Sequence, residues 1–214
     1  MGYTCKNFLM SRLSQHRFYP LSLSLSGAAL LWAGWPTSPL APLLFLGFVP
    51  WLALHHHVRH HGYRRPGWTF FLYLSLGLFT WNVLSTWWVV NSTIMGAVMA
   101  IVFNTLLMCI PWGLYRLTTR WLRSPIALIS LVIFWMAFEW AHLWWELSWP
   151  WLTLGNALAM FPQWIQWYSY TGVFGGSLWI LMSSYLLFYI LFTPRGELKK
   201  PNWLQTAFGL VLIA

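Results

Sequence analysis

TIMGAVMAIVFNTLLMCIPWGLY, Thr93 to Tyr115, decides the fold class: 23 residues without a charge, followed at once by Arg116. A hydrocarbon core about 30 Å thick is crossed by about 20 residues of helix, and helix is the conformation that satisfies its own backbone there. The rest of the 214-residue chain is of the same kind: 59% hydrophobic, 20% aromatic and 7% charged. An ordinary soluble domain is about 25% charged, so a water-soluble enzyme is excluded. Disorder is excluded too, because disordered chains are poor in aromatic and aliphatic residues. The three acidic residues are all Glu. Without Asp there is no Ser-His-Asp triad, and a carboxylate-rich metal cage is disfavoured. Cys5 and Cys109 form neither a disulfide framework nor a zinc pattern.

Reading outward from that helix, spans are expected at Pro20–Trp35 and Leu40–Leu54, a short hairpin about the Pro36–Pro42 turn region. Further spans are expected at Trp68–Val90, Ile126–Trp145 and Gly172–Phe192. The Ser22–Ser26 alternation resembles a strand, but an open strand edge does not sit in hydrocarbon, so helix is predicted. A seventh helix begins at Trp203 and has 12 residues when the sequence stops at Ala214, about 18 Å and short of a span. The expected architecture is an all-α polytopic membrane bundle, six complete transmembrane helices plus a truncated seventh, with residues 1–214 forming one N-terminal transmembrane domain.

All twelve Lys and Arg fall in four groups: Lys6, Arg12 and Arg17; Arg59, Arg64 and Arg65; Arg116, Arg120 and Arg123; Arg195, Lys199 and Lys200. The alternate loops, Pro36–Pro39, Asn91–Ser92 and Glu146–Thr171, contain none. The positive-inside rule places the four basic groups in the cytoplasm, with the N-terminus cytoplasmic and the chain end heading outward. Membrane orientation thus accounts for the net charge of +9, and no nucleic-acid partner is expected, since the basic residues form no single solvated patch. The basic N-terminus and its apolar run lack a small-residue cleavage site and read as a retained first helix.

The residues that bear chemistry concentrate in EWAHLWWELSWPWLTLGN, Glu139 to Asn156. Counted from Ile126, Glu139 lies about 20 Å into the membrane, and an intramembrane carboxylate is a functional hypothesis by default. On a helix running to Trp145, Glu139, His142 and Glu146 share one face. Three readings follow: a metal or proton site, a Glu139–His142 pair that also bonds backbone and fixes packing, or a group receiving a polar lipid head; Glu146, near the interface, also reads as simply solvated. Metal is disfavoured, because the Glu-x-x-His bundle motif needs carboxylates from partner helices and the remaining acid, Glu197, belongs to the opposite side. Trp144, Trp145, Trp149, Trp151, Trp164 and Trp167 read as an interfacial belt. Alternatively, since Pro150, Gly155, Asn156 and Pro162 break the stretch, they line a lipid entrance on a segment lying along the outer surface.

Elsewhere, the His55–His61 run reads either as an opportunistic metal tract or, preferred, as a solvated loop facing anionic lipid. Cys109 reads as a core cysteine, having no local base. Asn82, Asn91 and Asn104 are expected to bond across helices. Gly172–Ser177 opens its helix with small residues that allow close approach.

The pieces Glu139-Trp140, Trp149–Asn156, Gln163–Gln166 and Thr171–Ser177 resemble apolipoprotein N-acyltransferase, the bacterial inner-membrane enzyme of lipoprotein maturation. Trp81–Asn91 and the first hairpin are similar to that family's membrane domain, and SWPWLTLGN resembles the Bacteroidetes form. His142 is a departure, since many relatives carry Arg there. The resemblance implies an inner-membrane protein whose partners are a phospholipid acyl donor, a diacylated apolipoprotein and membrane lipids, with no cofactor or metal. It also implies a nitrilase-like domain on the outer side, beyond the seventh helix, whose Glu-Lys-Cys set moves an acyl chain from phospholipid to thiolate and then to the lipoprotein's N-terminal amine. That set is not in this sequence, so no catalytic residue is assigned and the 214 residues alone are expected to be inactive. Their expected role is to anchor the catalytic domain and admit lipid, with Glu139, His142, Trp149 and Trp151 as the lipid-binding residues. The alternatives are a small proton-coupled transporter using Glu139 and His142, and a non-enzymatic lipid-binding scaffold.

Overall fold

Proline marks where three of the helices begin. Pro20 lies in the first turn of α1 (Tyr19–Gly34), Pro50 in that of α2 (Val49–His60), and Pro66 opens α3 (Pro66–Thr86). At such positions the missing N–H has no intrahelical partner to lose. α4 (Ile94–Thr118) begins instead at Thr93, whose hydroxyl accepts from the Gly96 N–H at 3.5 Å. α5 is Ser124–Ala141 and α6 is Val173–Leu191. The structure, a computed structural model, describes residues 18–122, 124–146 and 148–199. Cys5, Lys6, Arg12, Arg17, Arg123, Lys200 and the helix expected from Trp203 lie outside them.

The all-α class holds, and among the described residues the single β contact is an isolated bridge between Phe192 and Leu198. Ala41–His60, Pro66–Asn91, Ile94–Thr118 and Val173–Leu191 are long and apolar enough to cross a membrane. α1, with 16 residues, and the apolar part of α5, Ile126–Ala141, are shorter. The second segment begins as a 3₁₀ helix (Ala41–Leu46), and the third tightens into one (Trp87–Asn91). α5 ends at Ala141, four residues before the expected Trp145, because the Leu143 and Trp144 amides reach back three residues, to Trp140 and Ala141. That tighter pattern does not propagate.

Trp51 is the hub of the packing. Its indole N–H donates to the Ser24 carbonyl of α1 at 3.0 Å. A Cβ added at Gly27 or Gly77 would lie 2.5 or 2.8 Å from the same indole nitrogen, so α1 and α3 close on it through glycines. Ser24 then donates to the Tyr73 carbonyl of α3 at 2.5 Å. Lipid offers little hydrophobic drive between helices, and close approach of small residues takes its place. Trp81, Trp112 and Trp135 are buried around this centre, while Met95, Val98, Phe103, Leu106 and Ile110 of α4 point outward, as a lipid-facing surface requires. Asn104 Nδ2 donates to Asn82 Oδ1 at 2.7 Å, joining α4 to α3 as expected. Asn91 is exposed in the 3₁₀ turn and takes no part.

The described basic groups share one end of the bundle. Arg59 Nη2 donates to the Thr119 carbonyl at 2.9 Å, Tyr19 donates to the Gly196 carbonyl at 3.2 Å, and His61 Nε2 lies 3.2 Å from Glu197 Oε1. The histidine run corrects the solvated-loop reading. α2 continues through it, and His55, His56 and His57 are buried against Phe70, Phe188 and Tyr19 respectively. The cause is the return after α6, where the Pro194 carbonyl contacts His56 Nδ1 at 2.8 Å and covers the face that a free loop would leave in water.

Gly27→Val is expected to lower stability by about 1–3 kcal/mol through overpacking against Trp51, read as thermal unfolding in detergent. Gly113→Ala, where the nearest atom is Phe71 Cζ at an ordinary 3.6 Å, is expected to leave the melting temperature unchanged or raise it.

Candidate functional site

At the Lys- and Arg-free end the chain leaves regular helix between α5 and α6. Three 3₁₀ turns (Pro150–Leu152, Leu154–Leu158 and Pro162–Trp164) and one helical turn (Tyr168–Thr171) carry it across. Each turn that starts with Pro begins where a donor is already missing, and the extended Thr153 separates the first two. Such irregular backbone is tolerated near lipid when its polar groups find partners in the protein.

Glu139 supplies the first of these partners. In the last turn of α5, its Oε1 accepts from Trp135 Nε1 at 3.0 Å and from the Leu154 amide at 2.9 Å. The next amide, Gly155 N, donates to Ser177 Oγ on α6 at 2.9 Å, and the Ser177 side chain also interacts with the Glu139 carboxyl. Tyr168 closes the loop by donating to the Gly155 carbonyl at 2.8 Å. Burial, and secondarily the Glu139 carboxylate, push its phenol up to about 12, so it remains a donor at physiological pH. Asn156 Nδ2 donates back to the Pro150 carbonyl at 3.1 Å. Only glycine fits at the seam: a Cβ on Gly155 would lie 1.9 Å from the Val173 carbonyl oxygen, and one on Gly176 1.6 Å from the Tyr168 hydroxyl. The small residues that open α6 therefore admit the outer segment itself.

This geometry corrects two sequence readings. Glu139 and His142 do not pair: His142 Nδ1 instead accepts from Trp145 Nε1 at 3.0 Å. Glu146 does not share their face, because the helix has already ended, and it is exposed. His142 and Trp149 do come together with Glu139, around a small cavity also lined by Asn104 of α4. Trp151 goes elsewhere. It is exposed, meets Trp88 edge to face at 5.3 Å, and closes one side of a groove of about 630 Å³ whose other walls include Trp32, Trp35, Leu40 and Trp87. Sequence reasoning missed this groove, together with Ser177 and Trp88. The available signal was that Trp32, Trp35, Trp87 and Trp88 all sit at span ends facing the Lys- and Arg-free loops. Among the described residues no group of three or more His, Cys, Asp or Glu is placed to hold a metal ion.

Glu139→Leu strips acceptors from a buried amide and a buried indole, each costing about 1–3 kcal/mol when orphaned. Amide hydrogen exchange across residues 150–158 is expected to accelerate in that variant and much less in Glu139→Gln, which keeps one acceptor oxygen. Equal rates in Glu139→Leu and the unaltered protein would contradict the clamp.

Comparison with known proteins bears on the same region. The family model described as the apolipoprotein N-acyltransferase N-terminal domain matches residues 27–186, which includes the Glu139 clamp, the outer segment and most of α6. The apolipoprotein N-acyltransferase of Chlorobaculum tepidum is 28% identical over 216 residues, an alignment covering 100% of this chain and 37% of that relative. The chain thus spans little more than a third of the length of the curated relative it matches. No solved structure matches. Largely helical over its described residues, and matched by the family model over three quarters of its length, the chain belongs to the apolipoprotein N-acyltransferase N-terminal domain family.

Proposed function

We propose that this chain is the membrane half of an enzyme that moves an acyl chain from phospholipid to the N-terminal cysteine amine of diacylated lipoproteins, and that its own task is to anchor that enzyme and admit lipid. The observation that carries this reading is the tryptophan-walled groove at the Lys- and Arg-free end. Its volume, about 630 Å³, falls in the range of about 300–1,000 Å³ typical of small-molecule sites, and indole walls suit a ligand that is apolar at one end and wet at the other. The positive-inside rule supports turning this end toward the outer face of the inner membrane, where the phospholipid donor and the lipoprotein acceptor would reach it laterally. The downstream nitrilase-like domain would emerge on that side.

Within this reading Trp151 touches lipid. Glu139, His142 and Trp149 position the segment that carries it, since Glu139 and His142 are buried. Acyl transfer belongs to the downstream domain, and these residues supply no nucleophile. A proton-coupled carrier is less well supported, because Glu139 and His142 face a cavity of about 10 Å³ instead of an open path.

In the full-length protein, Trp151→Ala and Trp88→Ala are each expected to raise KM for phospholipid about 3- to 10-fold at nearly constant kcat, the worth of one aromatic contact. An unchanged KM in both would overturn the groove assignment. Orientation is checked separately on a background without Cys5 and Cys109. A cysteine at Ser92 is expected to react with an impermeant maleimide in spheroplasts, and one at Arg64 only after the inner membrane is opened; the reverse pattern would invert the topology.

A further inference from the structure

Four buried polar atoms border the small cavity beneath the outer segment, and none has a hydrogen-bond partner among the described residues. They are Asn104 Oδ1 on α4, Glu139 Oε2 on α5, His142 Nε2 just beyond α5, and Trp149 Nε1 ahead of the first 3₁₀ turn. Asn104, Glu139 and His142 are 2%, 3% and 7% exposed, so bulk water does not serve them. Native interiors leave few such groups unpaired, and four around one cavity call for a common ligand.

The chemistry of the four divides evenly. Asn104 uses its Nδ2 to donate to Asn82 Oδ1 at 2.7 Å, which fixes the amide orientation and leaves Oδ1 as an acceptor. Glu139 Oε1 is occupied by Trp135 and Leu154, leaving Oε2 as a second acceptor. His142 Nδ1 accepts from the Trp145 indole, so its ring proton resides on Nε2, a donor. The Trp149 indole only donates. A metal cation would confront two N–H groups, and an anion would confront a carboxyl and an amide oxygen. A molecule that accepts two hydrogen bonds and donates two matches the set. The cavity leaves about 10 Å³ for its guest, room for one water molecule and no lipid head group.

We propose that this cavity binds a single structural water, which accepts from His142 and Trp149 and donates to Glu139 and Asn104. The water completes a chain of hydrogen bonds across the bundle. Asn82 donates to the Leu78 carbonyl within α3 at 2.9 Å and accepts from Asn104 of α4. Asn104 reaches Glu139 of α5 through the water, and Glu139 accepts from Leu154 in the outer segment. The asparagine pair thereby orients the water that seats Trp149. This assignment stands independently of the lipid reading.

Two measurements on the full-length protein in lipid nanodiscs test it. A structure at a resolution that shows ordered water is expected to place one peak about 2.7–3.2 Å from all four atoms. With ¹⁵N-labelled tryptophan, the Trp149 indole proton is expected to show a cross-peak to water that is lost in Asn104→Leu and kept in Asn104→Asp. The proposal is overturned if His142 or Trp149 bonds Glu139 or Asn104 directly, or if the peak sits at metal–oxygen distances of about 2.0–2.6 Å. It is also overturned if the unaltered protein shows no peak or no water cross-peak. Should Asn104→Leu fail to fold, the unaltered protein decides.

Discussion

Everything at the Lys- and Arg-free end depends on one constraint: backbone near hydrocarbon must find its hydrogen bonds inside the protein. Between Ala141 and Val173 continuous helical bonding is broken into short turns, and side chains supply part of what an unbroken helix would. Glu139 meets the Leu154 amide, Ser177 the Gly155 amide, and Tyr168 the Gly155 carbonyl. A charged side chain within a membrane helix is costly by itself, about 2.5–3.5 kcal/mol at the helix centre on insertion scales. Glu139 persists where two donors, the Trp135 indole and the Leu154 amide, converge on one oxygen and offset part of that cost. The clamp also explains the glycines beside it, since the Gly155–Gly176 seam must be thin enough for Glu139 and Ser177 to reach successive amides.

The tryptophans divide into two populations with different work. Trp51, Trp81, Trp112 and Trp135 are buried: Trp51 and Trp135 meet Phe48 edge to face, Trp112 stacks on it, and Trp81 tilts against Trp51. Trp32, Trp87, Trp88 and Trp151 are exposed at one end and wall the groove. An indole serves both settings because it combines a large apolar face with a single donor. Trp51 satisfies its donor on the Ser24 carbonyl. At the opposite end, imidazoles play a comparable part. His56 and His61 tie α2 to the segment after α6 through Pro194 and Glu197, so the basic end is closed by packing as well as by charge.

The expected positions of α1, α3, α4 and α6 agree with the structure to within a few residues, because each is a long apolar run bounded by Pro, Thr or Gly. The brokenness of residues 144–167 was equally legible, from Pro150, Gly155, Asn156 and Pro162. The errors arose where local spacing was extended past a helix end. The i, i+3, i+7 rule placed Glu146 beside Glu139 only on a helix that ran to Trp145, and α5 stops at Ala141. The histidines were misread for the converse reason: a polar run looks like a loop until another segment returns to cover it.

The amino-acid sequence by itself determined the all-α membrane class, the approximate spans, the gathering of basic residues and the family resemblance carried by Trp149–Asn156. These follow from sums along the chain, hydropathy per helix length and charge per loop, which need no knowledge of neighbours. Tertiary structure alone decided which partner each polar group takes. Glu139 meets an amide 15 residues away instead of the histidine three residues on, and Gly155 meets a serine 22 residues away. Those choices depend on how closely two segments approach, set by the absence of a Cβ at Gly155 and Gly176, and distance between segments is not a property of either one alone.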